Sequence, residues 1–373
     1  MRIGITCYPT FGGSGVVATE LGKLLSERGH DIHFIALDIP FRLRSFDGKF
    51  RFHEVEVVTY PLFEFNQPYA LNLAAKMSEV IEYQKLDILH VHYAIPHSIS
   101  AILARQITKK PVKIITTLHG TDITVVGNDP CFIPVTQFGI NESDGVTAVS
   151  NYLKEETEKA FDIDREIEVI HNFISPDFNI MKDTEKLKRE YAPDGEKILS
   201  HISNFRPVKN IEIIIEVFAG ILKRFKAKLL MIGDGPERGK AEKLCRELGI
   251  CEHTVFLGKQ AQIQDYLSIS DLFISASETE SFGLSVLEAM SCGIPVIAPR
   301  VGGIPEVVIS GENGYLIEDH DIDVFINAAS EILGDKNLHK NFSDSCIERV
   351  RSQFSFDQIV SEYEQFYKKI LES

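Results

Sequence analysis

The chain has 373 residues, of which 44% are hydrophobic and 25% are charged, and its net charge at pH 7 is −15. This length exceeds one ordinary core and predicts two domains, while the composition excludes disordered and fibrous classes of protein. The acidic balance excludes a nucleic-acid partner, because a surface that follows phosphates needs clustered Lys and Arg.

The N-terminal segment MRIGITCYPTFGG has a single basic residue and no apolar core of signal-peptide length. It therefore predicts a first β-strand in a cytoplasmic protein. No apolar run approaches the ~18 residues of a membrane span, so no membrane partner is expected. The six cysteines lie far apart without a C-x-x-C pair, which argues against a zinc site or a disulfide framework.

Short β-branched runs alternate with helical patterns along both halves of the chain. The first half predicts a helix over about Ser14 to Arg28 and the strands RIGITCY, DIHFIAL, ILHVHY, KIITTLH, GVTAVS and EIEVIH. The second half predicts the strands KILSHIS, KLLMIGDG, TVFLG, DLFISAS and PVIAPR. Strands separated by helices indicate βαβ units on parallel sheets. We therefore expect an α/β fold of two doubly wound halves that face a cleft.

The expected N-terminal domain spans residues 1–171, and the expected C-terminal domain spans residues 172–354. Gly and Pro punctuation near residues 171–176, followed by the charged stretch 182–196, predicts a linker. Residues 355–373 carry a wide apolar stripe at helical spacing. This stripe predicts a C-terminal helix that packs back toward the N-terminal domain and braces the two halves.

The loop after the first strand contains Gly13-x-Gly15-x-x-Ala18, which satisfies the dinucleotide pattern G-x-G-x-x-[GA], and Asp38 ends the next strand. One interpretation is therefore an NAD-linked oxidoreductase. However, residues 9–12 separate the strand from the pattern, whereas a dinucleotide turn follows its strand tightly. The alternative is that these glycines allow the close approach of a ligand or of the opposite domain.

Polar residues follow two further strands of the first half, where an open parallel sheet binds its ligands. His119 and Asp122 come directly after the run KIITTL, and we expect them to fix a hydroxylated ligand. His90 and His92 share one face of the strand ILHVHY. Because no third ligand is near, a metal site is not expected there.

In the second half, Arg206 and Lys209 follow the strand KILSHIS. If the next helix begins near Pro207, both cations can face one anion at its N-terminus. The favoured interpretation is a diphosphate site, and the alternative is two solvated surface cations. The turn Gly233-Asp-Gly-Pro follows the strand KLLMI and predicts a backbone that approaches a ligand closely.

Two glutamates form the motif Glu280-x7-Glu288 around a segment that is predicted to be helical from Phe282 to Met290. Their helical separation, near ~10 Å at ~1.5 Å per residue, exceeds the ~5–5.5 Å between the carboxylates of retaining glycosidases. A nucleotide sugar suits the motif better: Glu280 meets the sugar, Glu288 accepts the ribose hydroxyls, and the amides of residues 283–285 meet the diphosphate.

Together with Arg206, Lys209, the GGSG loop of residues 12–15 and the GDGP turn of residues 233–236, this motif resembles the retaining glycosyltransferases of family 4. Their fold is the two-Rossmann GT-B architecture, and the resemblance covers nearly the whole chain. The segments GITCYPTFGGSGVVATELGK, IHFIALDIPFRL, HVHYAIPH and TLHGTDITVVGNDP are similar to the members that glycosylate L-malate at the start of bacillithiol biosynthesis. The alternative is a family 4 transferase that uses a UDP-sugar and a different small acceptor.

The resemblance implies UDP-N-acetylglucosamine as the donor and L-malate as the acceptor. Glu280, His119, Arg206 and Lys209 would be catalytic, with His119 reaching the primary hydroxyl of the sugar from the opposite domain. The implied donor site consists of Gly15, Ser203, Asn204, Arg206, Lys209, Gly233, Gly258, Glu280, Phe282, Gly283, Leu284 and Glu288. The implied acceptor site consists of Gly13, Ser14, Gly15, Tyr93, Thr117 and His119.

In the implied reaction the malate hydroxyl attacks on the face that UDP leaves, and the departing phosphate oxygen takes the proton. No metal and no cofactor are expected. The acceptor loops contain no cation for malate, and the nearest candidates are Arg42 and Arg44. An epimerase and a non-catalytic sugar-nucleotide sensor are weaker alternatives, and a homo-oligomer stays open.

Overall fold

The computed structural model describes residues 1–9, 12–40, 43, 49–57, 69–176, 178 and 184–373. The chain divides into two compact units, the first of which comprises Met1–Asn172 and Asp357–Ser373, and the second Phe173–Phe356. Each unit contains one parallel sheet with helices between its strands. The prediction of an α/β fold with two doubly wound halves is therefore confirmed.

The elements of the first unit follow one another as the alternating pattern predicted. In chain order they are β1 Arg2–Thr6, α1 Gly13–Glu27, β2 Asp31–Ala36, β3 Arg51–Glu54, α2 Tyr69–Gln84, β4 Ile88–His92, α3 Ile99–Thr108, β5 Lys113–Leu118, α4 Ile133–Asn141, β6 Gly145–Ala148, α5 Asn151–Ala160 and β7 Ile167–Val169.

The strand order in this sheet is β3-β2-β1-β4-β5-β6-β7, and neighbouring strands are parallel. From β1 the chain proceeds outward to β2 and β3, whereas from β4 it proceeds to the other edge. The loops that follow β1 and β4 therefore leave the carboxyl ends of these two strands in opposite directions. Such a reversal of strand order is where open α/β sheets bind ligands.

The second unit repeats this plan. Its elements in chain order are α6 Glu185–Tyr191, β8 Lys197–Ile202, α7 Ile211–Leu222, β9 Ala227–Ile232, α8 Arg238–Glu247, β10 Thr254–Gly258, α9 Ile263–Leu267, β11 Leu272–Ile274, α10 Leu284–Ser291, β12 Val296–Pro299, α11 Ile304–Val307, β13 Gly314–Ile317, α12 Ile322–Gly334 and α13 Lys336–Gln353. The strand order is β10-β9-β8-β11-β12-β13, so the order reverses between β8 and β11.

Three local predictions for the second unit are wrong. Residues 185–191 of the expected linker form the helix α6. The helix after β8 begins at Ile211, because Pro207–Lys209 form a separate 3-10 turn and Asn210 has a left-handed backbone with φ of 46°. Helix α10 begins at Leu284 rather than Phe282, so a helical rise per residue applies only to the second half of the Glu280-x7-Glu288 motif.

The last helix, α14 Phe356–Glu372, packs on the first unit. Its apolar stripe is buried, and the hydroxyl of Tyr367 lies 2.7 Å from Nδ1 of His90. On the polar side of the helix, Arg28 donates to Glu364 at 2.8 Å and to Ser361 at 2.9 Å. Within the described part of the chain, no helix has the length and hydropathy of a membrane span.

Candidate functional site

In the first unit, the loop after β1 and the residue after β4 meet through their side chains. Ser14, in the first turn of α1, lies with its hydroxyl oxygen 2.7 Å from that of Tyr93. The first turn also carries backbone amides of residues 13–15, which have no acceptor inside the helix. These amides and the positive end of the helix dipole favour a carboxylate or phosphate.

The dinucleotide interpretation of this loop does not fit the structure. Helix α1, which carries Gly13 and Gly15, begins seven residues after β1 ends at Thr6. A dinucleotide turn requires the glycines directly after the strand, so that the backbone approaches the pyrophosphate. Residues 10 and 11 of the loop lie outside the described residues, as do Arg42 and Arg44, the nearest candidate cations for malate.

His119 directly follows β5, and its ring contacts the ring of His92 at the end of β4. Nδ1 of His92 lies 2.8 Å from Nε2 of His119, with the ring centroids 5.1 Å apart. Burial lowers the pKa of His119 to about 3, and burial together with His90 lowers the pKa of His92 well below its usual range. Both rings are therefore neutral at neutral pH, so each can donate a hydrogen bond through one nitrogen and accept one through the other.

Asp122 joins the loops after β4 and β5. Its carboxylate accepts hydrogen bonds from the backbone amides of Ala94 at 2.8 Å, Gly120 at 2.9 Å and His119 at 3.2 Å. Burial raises the pKa of this carboxyl to about 6, even though the three amides favour its ionised form. The role of Asp122 in the structure is thus to hold the loop that carries His119.

Thr117, which was predicted to bind the acceptor substrate, is buried near the end of β5. Its hydroxyl is buried and lies 2.7 Å from both Nε2 of His90 and the hydroxyl of Thr147. Nδ1 of the same His90 meets Tyr367 of α14. The hydroxyl of Thr117 is therefore already engaged in a network that supports the ends of β4 and β5.

In the second unit, three loops that follow strands pack backbone against backbone. The amide of Gly233 donates to the carbonyl of Gly258 at 2.8 Å, and the φ angles of these glycines are +119° and +67°. A Cβ atom at Gly233 would lie 1.8 Å from the carbonyl oxygen of Ser203, and one at Gly235 would lie 2.0 Å from that of Asn204. Glycine is thus required at both positions, because the backbone there lies directly against the loop after β8.

The two predicted cations of the second unit have different partners. Nζ of Lys209 donates to Oε1 of Glu280, and Ser277 donates to the same oxygen at 2.9 Å. Arg206 is exposed, and no acidic side chain among the described residues pairs with it. The amide of Glu278 also donates to the carbonyl of Val208 at 2.8 Å, which joins the two loops. Arg206 is therefore available to an anion, while Lys209 and Glu280 neutralise each other.

Glu280 precedes helix α10, and Glu288 is the fifth residue of that helix. Gly283 caps the helix with a left-handed backbone, φ +94°, which only glycine adopts without strain. The amides of Leu284 and the residues after it therefore point out of the helix N-terminus. The side chain of Phe282 is buried, with its ring 5.7 Å from the ring of Phe354, so the ring belongs to the packed interior of the unit.

Sequence reasoning missed the pair Gly302 and Gly303, which follow β12. A Cβ atom at Gly302 would lie 1.9 Å from the carbonyl oxygen of Glu280, and the amide of Gly303 donates to that oxygen at 2.8 Å. The Gly-Gly dipeptide, which two residues separate from the end of an apolar strand, was the available signal. Among the described residues, no group of three or more His, Cys, Asp or Glu side chains could hold a metal ion.

Comparison with known proteins gives two family matches that together span most of the chain. Residues 11–178 match the model described as Glycosyltransferase Family 4, and residues 183–349 match the model described as Glycosyl transferases group 1. The chain is 49% identical to the N-acetyl-alpha-D-glucosaminyl L-malate synthase of Bacillus anthracis, over 100% of this chain and 97% of that protein. It is 27% identical to an uncharacterized glycosyltransferase of Methanocaldococcus jannaschii, over 97% and 95% of the two chains.

Solved structures share the fold. Anabaena Alr3699/HepE, in complex with UDP and glucose, aligns with a TM-score of 0.85 over 99% of both chains, at 19% identity. A glycosyltransferase from Rickettsia africae aligns with a TM-score of 0.81 over 100% of this chain and 99% of that one, at 23% identity. These likenesses support the two-unit architecture that the sequence predicted.

Proposed function

The chain belongs to the family 4 glycosyltransferases, and from that premise we propose that it transfers N-acetylglucosamine from UDP-N-acetylglucosamine to the hydroxyl of L-malate. The observation that carries this choice of substrates is the 49% identity, over the full chain, to an enzyme named for both the sugar and the acceptor. The word alpha in that name describes the anomeric configuration of the transferred sugar, and the sugar of the donor has the same configuration. The proposed reaction therefore retains it, and the product would open bacillithiol biosynthesis in the cytoplasm.

We propose that the second unit binds the donor at the carboxyl ends of β8 to β12. Arg206 and Lys209 offer positive charge to the diphosphate, and the N-terminus of α10 offers backbone amides to it. Glu288 would accept the ribose hydroxyls, and Glu280 the hydroxyls of the sugar. When the diphosphate binds, Lys209 can turn from Glu280 to the phosphate oxygens, which frees Glu280 for the sugar. Gly258 would approach the uracil through its backbone.

The first unit would bind malate at the carboxyl ends of β1, β4 and β5. The amides of Gly13 and Gly15 and the hydroxyls of Ser14 and Tyr93 can hold a carboxylate without a cationic side chain. His119 would contact the sugar that is transferred. The buried network around Thr117 would keep the ends of β4 and β5 in place, because each of its polar atoms already has a partner.

In this reaction the malate hydroxyl oxygen forms a bond to the anomeric carbon as the bond to the UDP oxygen breaks. The departing phosphate oxygen takes the hydroxyl proton, so that no carboxylate nucleophile is required. The chain would contribute the positioning of both substrates and the stabilisation of negative charge on the leaving group. Arg206 and Lys209 are the residues that we assign to that charge.

A UDP-release assay with varied acceptors tests the proposal. UDP should appear from UDP-N-acetylglucosamine when L-malate is present, and an alpha-linked malate glycoside should form. D-inositol 3-phosphate is a suitable control, because D-inositol 3-phosphate glycosyltransferases are among the relatives of this chain. Turnover with the inositol phosphate and none with malate would show that the acceptor is wrong. Conversion of the donor without any acceptor would favour the epimerase.

A further inference from the structure

The pair His92–His119 has an arrangement that the proposed reaction does not by itself explain. His92 is fully buried at the end of β4, and its Nδ1 contacts Nε2 of His119. The other ring nitrogen of His92, Nε2, is also buried, and it has no hydrogen-bond partner within the described residues. His119 is partly exposed, and its Nδ1 has no partner within the same residues. One ring is thus completely enclosed, while the other faces outward.

The contact between the two rings couples their protons. Because burial keeps both rings neutral at neutral pH, each ring carries one proton, and only one of the two nitrogens in contact can be a donor. If Nδ1 of His92 donates, then His119 carries its proton on the outward Nδ1. If Nε2 of His119 donates, then His92 carries its proton on the buried Nε2, and His119 presents a bare nitrogen outward.

The burial of His92 decides between these two tautomers. The second arrangement would bury an N–H group that has no acceptor, and orphaned buried N–H groups are rare because their desolvation is not repaid. The first arrangement leaves only an unprotonated ring nitrogen in the core. His92 is in turn fixed by its backbone, since its carbonyl oxygen accepts a hydrogen bond from Nδ1 of His97 at 2.5 Å.

We propose that His92 is a positioning residue that donates from Nδ1 to His119 and thereby fixes the tautomer in which His119 presents an Nδ1–H donor to a hydroxyl oxygen of the transferred sugar. The inference rests on the proposed function, because the contact between His119 and the sugar belongs to it. The role of His92 is indirect, since its own ring is enclosed. It determines which hydrogen bond His119 can form with the sugar. With Nδ1 protonated, His119 can donate to a sugar oxygen but cannot accept from a sugar hydroxyl at that nitrogen.

Two variants of nearly identical shape separate this role from packing. The side-chain amide of His92→Asn can place an N–H group where Nδ1 lies and keep the donor. His92→Asp places only an acceptor there and requires His119 to donate from Nε2. In protein labelled with 15N-histidine, the ring nitrogen shifts of His119 report which nitrogen is protonated, and His119→Gln assigns its signals. A thermal melt of each variant confirms that it is folded.

We expect the Nδ1–H tautomer of His119 in the wild type and in His92→Asn, and the Nε2–H tautomer in His92→Asp. The kcat/KM for UDP-N-acetylglucosamine should fall roughly tenfold in His92→Asp, as the loss of one hydrogen bond implies, and KM for malate should stay unchanged. A wild-type His119 protonated on Nε2 would overturn the inference without the need for any variant. The same tautomer in His92→Asp as in the wild type would also overturn it.

The failure of this inference and the failure of the proposed function are distinguishable. If His119→Gln has the kcat/KM of the wild type for the donor, the proposed contact between His119 and the sugar is wrong, whatever its tautomer. If His119→Gln loses activity while the wild-type spectrum shows the Nε2–H tautomer, the proposed function stands and only the role of His92 is wrong.

Discussion

The substitution Lys209→Met separates two roles of one cation. Lys209 donates to Glu280, and we propose that it also neutralises the diphosphate of the leaving group. The side chains of Lys209 and Glu280 are 18% and 17% exposed, so both charges are mostly removed from water. The variant should therefore lose both stability and catalytic activity. A second substitution separates these two effects.

The magnitude follows from this degree of burial. An exposed ion pair contributes about 0.2–1 kcal/mol, whereas breaking a fully buried pair costs about 3–5 kcal/mol. For a pair less than one-fifth exposed, we expect Lys209→Met to lower the free energy of unfolding of the second unit by about 2 kcal/mol. For a unit of this size that corresponds to about 4–8 °C in Tm. Loss of charge stabilisation at the leaving group should lower kcat by about 10²–10³.

The double variant Lys209→Met/Glu280→Gln divides these effects. It removes the unpaired carboxylate, so Tm should recover most of its loss, while kcat should stay at least as low as in the single variant, because Glu280 also holds the sugar in the proposed reaction. Lys243→Met is the matched control, because Lys243 forms an exposed pair with Glu247 in the same unit. Thermal melts and the UDP-release assay measure both quantities. If the double variant regained wild-type kcat, Lys209 would serve only to neutralise Glu280, and the reasoning would be refuted.

Three further predictions concern other parts of the structure. Gly233→Ala should destabilise the second unit by more than about 1 kcal/mol and weaken UDP binding, since its Cβ meets a carbonyl at 1.8 Å and its φ is +119°; melts and calorimetry measure this. Tyr93→Phe should raise KM for malate about fivefold, the value of one hydrogen bond, without changing KM for the donor. Acid should destabilise the first unit from pH 6.5 to about 4, because burial lowers the pKa of His90 to about 3 and that of His97 to about 4. The unfolded chain then binds protons that these two histidines, together with His92 and His119, do not bind in the fold, each costing roughly 1.4 kcal/mol per pH unit. Below pH 6 the buried Asp122, whose pKa is raised to about 6, offsets one of them; urea unfolding at several pH values measures the net loss.

Matched controls exist for these three predictions. Gly239→Ala lies in α8, where a Cβ atom would meet nothing within 4 Å, and it should be neutral or slightly stabilising. Tyr83→Phe changes an exposed tyrosine of α2 and should leave both KM values unchanged. The acid prediction would be contradicted by an equal free energy of unfolding at pH 7 and pH 5.

The sequence predicted the elements whose burial leaves a clear pattern and missed those that are very short or only partly buried. Strands such as β12, with the sequence VIAP and every residue buried, form continuous apolar runs. By contrast, β3 is a half-exposed edge strand with the sequence RFHE, and β13 is a four-residue strand that begins with glycine. β3 lacks both the alternation and the apolar run that identify a strand, and the apolar run of β13 is only three residues long. Helix α6, in the charged stretch 182–196, buries no residue and lacks the stripe that identifies a helix.

For the candidate site, the sequence indicated the loops but not the contacts between them. The rule that ligands bind beyond the carboxyl ends of parallel strands selected residues near Ser14, His119 and Arg206. The contacts Ser14–Tyr93, His92–His119 and Lys209–Glu280 join segments that are 79, 27 and 71 residues apart. No spacing within one segment determines such pairs, because they depend on which strands become neighbours in the sheet.

The measurement that tests the central claim most directly is the initial rate of UDP release from UDP-N-acetylglucosamine by the full chain, with and without L-malate. Release that rises and saturates with L-malate, and stays at background without it, is the predicted result. A rate that is the same with and without L-malate, or that rises only with a different acceptor, would contradict the assignment of malate as the acceptor.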